Sequence, residues 1–324
     1  MTEMFERKPA TCPTLYFIGV TTGSSSIMKV FPAWADLLRL GDVAIRGIDF
    51  PPGAPAEDYR EAVCFIKQDP LSLGALVTTH KIDLFNACRD LFDHIDPLAT
   101  LLGETSCLAK HDGKLHCYAK DPISSGLTLK HFLPENPFAG ERQVLILGAG
   151  GACIAISWYL MQPAYEQNPP MKLLVSDRSA NRLAELERLH QQFDARFPVS
   201  YHPIADFHDN DALINALPPG SLVINATGMG KDLPGSPISD AARFPQQGII
   251  WELNYRGELT FLHQARAQQA EQHLQLEDGW NYFIHGWTQV IAEVFGLPAS
   301  AVSGESFAAL SACAAQVTGQ GKPL

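Results

Sequence analysis

Basic residues are scarce in this sequence: 24 lysines and arginines stand against 35 aspartates and glutamates, which gives a formal charge of −11. A surface that binds nucleic acid needs clustered lysine and arginine to neutralise phosphates, and the basic residues here are scattered. The composition therefore argues against a nucleic-acid partner.

Cysteines are also few, and long apolar runs are missing. The seven cysteines form no Cys-x-x-Cys pair and no cysteine–histidine spacing typical of metal ligands, so they predict reduced thiols and no metal site. No apolar run reaches the length of a membrane span, and the first 15 residues lack the apolar core of a secretory signal. We therefore expect a soluble, cytoplasmic protein.

Strand-like and helix-like segments alternate along the chain, whose 324 residues are 46% hydrophobic and can bury two cores. The predicted order begins with strand Leu15–Gly19, helix Pro32–Leu40, strand Val43–Ile48 and helix Glu57–Lys67. Asp112-Gly113 lies between two runs of mixed polarity and predicts a hairpin turn. The pattern indicates an α/β protein of two domains, an N-terminal α/β domain and a doubly wound domain of the Rossmann type.

The most specific feature is a short apolar strand that leads into a glycine-rich turn and a helix. Val144–Leu147 is the predicted strand, and Ile154–Leu160 continues the predicted helix. Glycines here permit a tight turn and a close approach to phosphates, while the helix N-terminus offers unpaired N–H groups. The alternative is a glycine-rich turn without a ligand, and Cys153 stands where Gly or Ala is usual. The predicted dinucleotide-binding residues of this loop are Gly148, Ala149, Gly150, Gly151 and Ala152.

The choice of cofactor depends on the end of the next predicted strand. Asp177 follows the apolar run Lys172–Ser176, and a carboxylate at this position accepts both ribose hydroxyls and repels a 2′-phosphate. Arg178 comes next and could pair with that phosphate if Asp177 turned away. We therefore expect NAD, with NADP possible. The alternative role of Asp177 is to cap the helix that follows.

Polar residues follow three predicted strands of the N-terminal part. Ser24 and Ser26 follow the first strand, Thr78 and Lys81 follow another, and Asp121 follows the hairpin. Ligands of open α/β sheets bind beyond strand ends, so these groups are candidates for one site. Lys81 is the candidate acid/base for the oxidation of an alcohol by a nicotinamide, with Asp121 as its partner. The alternatives are a solvated lysine at a helix start and serines that act only as turn and N-cap residues.

With these motifs in this order, the chain resembles the shikimate/quinate dehydrogenase family from about Phe17 to about Phe295. The family's Ser-x-Ser is similar to Ser24-Ser-Ser26, and its glycine loop is similar to Leu147-Gly-Ala-Gly-Gly-Ala152. Its Val-Thr-x-Pro-x-Lys resembles Val77-Thr-Thr-His-Lys81, with one residue fewer and no proline. The Asp of its Asn-Thr-Asp segment falls on Asp121.

The resemblance implies further site residues. The substrate-binding Thr of the family falls on Thr78, an active-site Tyr on Tyr255, and an Asn-Ala-Thr near the nicotinamide on Asn225, Ala226 and Thr227. The departures concern the substrate: the family's substrate-binding Asn falls on Ser106, and its late Gln falls on Gly286. Gln289, about one helical turn later, could supply the missing amide or be an ordinary polar helix residue.

The family's organisation implies a substrate domain over residues 1–121, completed by residues 281–324, and a NAD(P)-binding domain over residues 122–280. Hydride transfer would then interconvert a secondary alcohol and a ketone on a small cyclic hydroxy acid of the shikimate type, in a monomer or homodimer. Quinate, aminoshikimate or another polyol is an alternative substrate. A NAD(P)-binding regulatory module without turnover is an alternative of another class, although such a module needs no proton-transfer pair.

Overall fold

The computed structural model describes residues 8–162, 168–231 and 233–320. These residues form two compact units: the part up to Ser124 together with the part from Ile284 onward, and Ser125–Phe283. Each unit contains one six-stranded sheet.

The first unit is built on a mixed sheet of order β2-β1-β3-β5-β6-β4. Strand β5 is antiparallel to β3 and to β6, and β1 is parallel to β2 and β3, so β1, β3 and β6 run in the same direction. Their carboxyl ends therefore meet at one edge of the sheet. The elements are β1 (Thr14–Gly19), α1 (Ile27–Leu37), β2 (Ala44–Asp49), α2 (Ala56–Gln68), β3 (Ser72–Val77), α3 (Lys81–Cys88), β4 (His94–Ile95), α4 (Pro97–Leu102), β5 (Cys107–His111), β6 (Lys114–Tyr118) and the start of α5 (Asp121–Phe132).

The hairpin prediction is confirmed, whereas the predicted start of the first helix is wrong. Asp112 and Gly113 join β5 to β6 with φ of 52° and 74°, the left-handed values that a two-residue turn of this type needs. Helix α1 begins at Ile27, and Pro32 lies inside it. Proline removes one helical hydrogen bond. The buried face that includes Phe31 and Trp34 compensates for this loss, because burial of large apolar side chains outweighs local propensity.

The second unit is a doubly wound parallel sheet of order β12-β11-β10-β7-β8-β9. The strand order reverses between β7 and β10, which is the point where open α/β sheets bind ligands. The elements are β7 (Val144–Leu147), α6 (Gly151–Leu160), β8 (Leu173–Asp177), α7 (Ala180–His190), β9 (Val199–Pro203), α8 (Phe207–Asn215), β10 (Leu222–Asn225), β11 (Ile249–Glu252), α9 (Thr260–Gln272), β12 (Gln275–Glu277) and the start of α10 (Trp280–Val294).

Helix α10 and the last helix, α11 (Gly304–Thr318), complete the first unit from Ile284 onward. Helix α11 packs on α1, where the Trp34 indole N–H donates to the Leu310 carbonyl at 2.8 Å. The predicted α/β class, with a doubly wound second part, is confirmed. Across the described ranges, no helix has both the length and the apolar character that crossing a membrane requires.

Candidate active site

The edge of the first sheet brings Lys81 and Asp121 together. Lys81 is the first residue of α3, Asp121 is the first residue of α5, and their side chains form an ion pair. Only 16% of the lysine side chain and 12% of the aspartate side chain are exposed. Partial burial strengthens a charge interaction relative to water and holds the ammonium in one direction.

A strained turn precedes the start of α3. Thr79 has φ of 59°, a left-handed value that is unusual for a β-branched residue, and the His80 N–H donates to the Thr78 carbonyl at 2.5 Å. The imidazole of His80 is buried between the Tyr59 hydroxyl at 2.9 Å and the Phe50 carbonyl at 3.1 Å. Burial lowers the pKa of His80, so the ring is neutral. Together these contacts fix the position of His80, and therefore of the backbone that leads into Lys81.

The predicted serines lie between β1 and α1, at the same edge of the sheet as Lys81. The Ser24 hydroxyl donates to the Thr21 carbonyl at 2.9 Å, as a turn residue does. Ser26 precedes α1, and its hydroxyl makes no capping bond but donates to the Gln320 side-chain oxygen at 3.0 Å. Both hydroxyls are at the place that the sequence predicts, and both have protein partners.

Ser106 and Lys120 have roles within the protein that the sequence does not reveal. The Ser106 hydroxyl accepts a hydrogen bond from the Lys120 backbone N–H at 2.7 Å, directly before Asp121. The ammonium of Lys120 lies 2.5 Å from the Glu293 carboxylate and 4.8 Å from the centre of the Tyr118 ring. The serine thus supports the start of α5. Glu293 of α10 neutralises the positive charge of Lys120, the residue before Asp121.

The two remaining predicted substrate residues belong to different units. Gln289 is half-buried on the part of α10 that belongs to the first unit. Tyr255 belongs to the second unit, where its ring packs on Phe283 and Trp280 with centroid separations of 4.4 and 5.8 Å.

The glycine loop of the second unit is a tight turn between β7 and α6. Gly148 has φ of 99°, and a Cβ atom at this position would lie 2.9 Å from the Ala226 carbonyl oxygen, so only glycine fits. Gly150 precedes α6, and a Cβ atom there would meet no atom within 4 Å, which leaves room for a ligand to approach the backbone. Cys153 is fully buried in α6 and does not disturb this arrangement.

A cavity of about 250 Å³ opens beside this loop. Its lining includes Gly148, Ala149, Gly150, Asp177, Arg178, Arg182, Ala226 and Thr227. Residues of the glycine loop and two arginines thus line one cavity at the reversal of strand order. Backbone N–H groups and guanidinium groups are donors that suit the phosphates of a dinucleotide.

Asp177 is bonded to the glycine loop and does not cap a helix. One carboxylate oxygen accepts the Ala149 N–H and the other accepts the Ser179 N–H, each at 2.8 Å. Ser179 is the N-cap of α7, since its hydroxyl accepts the Arg182 N–H at 3.2 Å, so the capping alternative for Asp177 is wrong.

Arg182 is a candidate cofactor residue that the sequence motifs missed. It lies in the first turn of α7, where the helix dipole disfavours a cation. That unfavourable position is the signal that could have revealed it.

Ala226 and Thr227 line the cavity, and the buried side chain of Asn225 is hydrogen-bonded to Thr227. The Asn225 side-chain oxygen accepts the Thr227 hydroxyl at 2.7 Å, and its amide donates to the Glu252 carboxylate at 2.7 Å. Asn225 and Glu252 are fully buried, and burial raises the pKa of Glu252 to about 7.

No family model matches the chain. The sequence is 30% identical over 181 residues to a shikimate dehydrogenase (NADP(+)) of Streptococcus thermophilus, and the alignment covers 55% of this chain but only 59% of that relative.

Two solved structures show the same fold over nearly the whole chain. Quinate dehydrogenase from Corynebacterium glutamicum, in complex with NAD, has a TM-score of 0.64 at 21% identity and covers 92% of this chain and 99% of its own. The 5-ketofructose reductase of a Gluconobacter species has a TM-score of 0.66 at 20% identity and covers 94% of this chain and 97% of its own. The sequence is thus similar over the aligned region to a shikimate dehydrogenase, and the fold is similar over nearly the whole chain to that of a quinate dehydrogenase, which confirms the resemblance that the motifs predict.

Proposed function

We propose that this protein is a NAD(P)-dependent oxidoreductase that interconverts a secondary alcohol and a ketone on a small cyclic hydroxy acid. The observation that carries the proposal is the partly buried Lys81–Asp121 ion pair, which lies at the same sheet edge as Ser24, Ser26 and Thr78. An enzyme that oxidises an alcohol needs a side chain that accepts the hydroxyl proton, whereas a module that only binds a nucleotide does not.

Lys81 is the acid/base in this proposal. When the alcohol is oxidised, its carbon loses a hydride and its hydroxyl oxygen loses a proton, and the neutral amine of Lys81 accepts that proton. A bound nicotinamide supplies the hydride acceptor. Asp121 orients the amine and stabilises the ammonium that forms. In the reverse direction the ammonium returns the proton to the ketone oxygen.

We infer the substrate class from the hydroxyl groups that lie at the same sheet edge as Lys81. Ser24, Ser26 and Thr78 would bind a carboxylate and ring hydroxyls, with Gln289 and Tyr255 as further proposed contacts. The bond from Ser26 to Gln320 would be exchanged for a bond to the substrate. The Ser106 hydroxyl already accepts a hydrogen bond from the Lys120 backbone N–H. The site would therefore recognise a different arrangement of substrate hydroxyl groups from that of shikimate, which leaves quinate, aminoshikimate or another polyol as candidates.

For the cofactor, we propose that NAD binds and that NADP is accepted as well. The loop residues Gly148 to Ala152 would hold the pyrophosphate, and Asp177 would accept ribose hydroxyls with its remaining lone pairs. The carboxylate already accepts two backbone N–H groups, and Arg178 and Arg182 face the same cavity, where they could pair with a 2′-phosphate. Asn225, Ala226 and Thr227 would shape the nicotinamide side. The related Streptococcus enzyme carries NADP(+) in its name, whereas the quinate dehydrogenase was solved with NAD.

The test is a dehydrogenase screen of the purified protein against shikimate, quinate, aminoshikimate and related polyols, with NAD and NADP in parallel. We expect turnover of at least one polyol, and a loss of roughly 10²-fold or more in kcat for Lys81→Met, with cofactor binding retained. Lys114→Met, on the exposed side of β6, is the matched control. Cofactor binding without turnover of any polyol would instead indicate the regulatory module.

A further inference from the structure

The end of α11 lies at the edge of the first sheet where Lys81 lies. Along the two helices, the Trp34 indole N–H of α1 donates to the Leu310 carbonyl of α11 at 2.8 Å. At the start of α1, the Ser26 hydroxyl donates to the side-chain oxygen of Gln320, just after α11 ends, at 3.0 Å. The two helices are therefore antiparallel, and because α1 follows the carboxyl end of β1, this packing brings Gln320 to that edge.

The backbone fixes the direction in which Gln320 leaves the helix. Gly319 ends α11 with φ of 68°, and its N–H donates to the Ala315 carbonyl at 2.8 Å. The Gln320 N–H donates to the Thr318 hydroxyl at 3.2 Å, and that hydroxyl donates to the Ala314 carbonyl at 2.8 Å. A left-handed glycine at a helix end turns the chain in one defined direction. The contact between Gln320 and Ser26 therefore follows from how the helix ends.

The surroundings of Ser26 are open to a ligand but have few free hydrogen-bond donors. Ser26 and Gln320 are half-buried, and Ser24 is exposed. Each serine hydroxyl has one proton to donate. Ser24 donates its proton to the Thr21 carbonyl, and Ser26 donates its proton to Gln320. A carboxylate only accepts hydrogen bonds, so it requires a further donor here.

The side-chain amide of Gln320 supplies such a donor. Its nitrogen carries two N–H groups, and among the residues that the structure describes this nitrogen makes no hydrogen bond. The bond from Ser26 occupies the amide oxygen, so the nitrogen is the atom left for a ligand. A hydroxyl group of a neutral polyol can itself donate to the serine oxygens, whereas a carboxylate cannot. The arrangement therefore favours an acidic ligand over a neutral one.

We propose that Gln320 is a substrate-binding residue whose amide N–H donates to the carboxylate of the cyclic hydroxy acid, beside Ser26. On binding, Ser26 exchanges its bond to Gln320 for a bond to the same carboxylate, and the end of α11 forms one wall of the substrate site. Gln320 thereby determines the preference for an acid over a neutral polyol. The inference rests on the proposed dehydrogenase function and names a residue that recognises the substrate in that same site.

The test compares two substitutions of Gln320 with a matched control. Gln320→Glu keeps an acceptor for the Ser26 hydroxyl, but it removes both N–H donors and adds a negative charge. Gln320→Ala removes the whole amide. Gln316→Glu adds the same charge about one turn earlier, on the exposed side of α11. Because Gln320 is half-buried and lies after the helix, the Tm of each variant without ligand should stay near that of the parent.

The probes are quinate, which carries a carboxylate, and myo-inositol, a cyclic polyol that carries none. Calorimetric titrations in the presence of NADH or NADPH measure Kd without turnover, because the reduced cofactor cannot accept a hydride from the alcohol. The Kd for quinate should rise by about 10- to 100-fold in Gln320→Glu, where charge repulsion adds to the lost hydrogen bond, and by about 3- to 10-fold in Gln320→Ala. The Kd for myo-inositol should change by less than about 3-fold in either variant. Gln316→Glu should match the parent with both probes.

A parent-like Kd for quinate in both Gln320 variants would show that Gln320 does not touch the carboxylate. Equal losses for quinate and myo-inositol would show that Gln320 only shapes the site. Either result overturns the inference and leaves the proposed reaction standing. The expected pattern of quinate binding in a parent without turnover would remove the proposed reaction and support the role of Gln320. A parent that binds neither quinate nor shikimate would overturn the proposed substrate class and this inference with it.

Discussion

The carboxylate of Asp177 accepts a hydrogen bond from the backbone N–H of Ala149 at 2.8 Å, which ties the end of β8 to the glycine loop after β7. One carboxylate therefore both shapes the loop and faces the cavity that Arg178 and Arg182 share with it. The balance between this negative charge and the two guanidinium groups should decide which dinucleotide binds better.

The first prediction concerns that balance. Asp177→Asn keeps the shape of the side chain and one of its two acceptors for backbone N–H groups, and it removes the charge, so repulsion of a 2′-phosphate disappears. The ratio of kcat/KM for NADP to that for NAD should rise by about 10-fold or more, because bonds to charged groups contribute about 1.5–3 kcal/mol. Arg182→Ala should lower the same ratio. Arg188→Ala, on the exposed side of α7, should leave it unchanged. An unaltered ratio in Asp177→Asn would limit Asp177 to supporting the loop.

The second prediction concerns the strained turn before Lys81. Thr79 is exposed and has φ of 59°, and asparagine adopts this conformation more readily than a β-branched residue. Thr79→Asn should stabilise the protein by about 0.5–1 kcal/mol. Turnover should stay near the parent value, because His80 still anchors the start of α3. Thr21→Asn is the matched control, since Thr21 is exposed with φ of −142°. Equal Tm changes in both variants would show that the turn stores no strain.

Local sequence signals predicted those parts of the fold that depend on neighbours in the chain. Asp112-Gly113 specifies its turn through two left-handed residues, and Gly148 specifies its turn through φ and lack of a Cβ atom. The start of α1 was missed because the packing of Trp34 against α11, far along the sequence, outweighs the local effect of Pro32.

The candidate site shows the same division between local and long-range signals. Lys81 and Asp121 could be singled out because they follow strands, although their pairing depends on the strand order of the sheet. The contacts that hold His80 could not be predicted, because Phe50 and Tyr59 lie far from it in the chain. The occupation of Ser106 by the Lys120 backbone is likewise a product of tertiary structure.

The third prediction concerns the pH dependence of stability through Glu252. Its pKa in the folded protein is about 7, against an ordinary value of 4.5, so the folded state holds a proton that the unfolded state releases. The associated stabilisation is complete below about pH 4.5 and is lost as the pH rises through about 7, with a size on the order of 3 kcal/mol. The Tm of the parent should therefore fall relative to that of Glu252→Gln between about pH 5 and pH 8. Parallel Tm curves for the two proteins would show that the carboxyl group titrates normally.

The last prediction concerns Gly286, the position of the family's late substrate-binding Gln. A Cβ atom at Gly286 would meet nothing within 4 Å, so α10 has room for a side chain there, whereas Ser106 is buried and its hydroxyl supports the Lys120 backbone. Gly286→Gln is therefore the variant that can restore an amide without loss of structure, and Ser106→Asn should destabilise the protein.

We expect Gly286→Gln to raise kcat/KM for shikimate by about 2- to 10-fold, since one added hydrogen bond to a buried hydroxyl contributes about 0.5–1.5 kcal/mol. The parent should be poor with shikimate relative to its best polyol. Gly286→Ala is the matched control, because both variants gain up to about 1 kcal/mol of helix propensity but only glutamine adds an amide. If the alanine variant improves shikimate turnover as much as the glutamine variant does, the gain comes from a more rigid α10. The altered substrate preference would then have to arise elsewhere in the site.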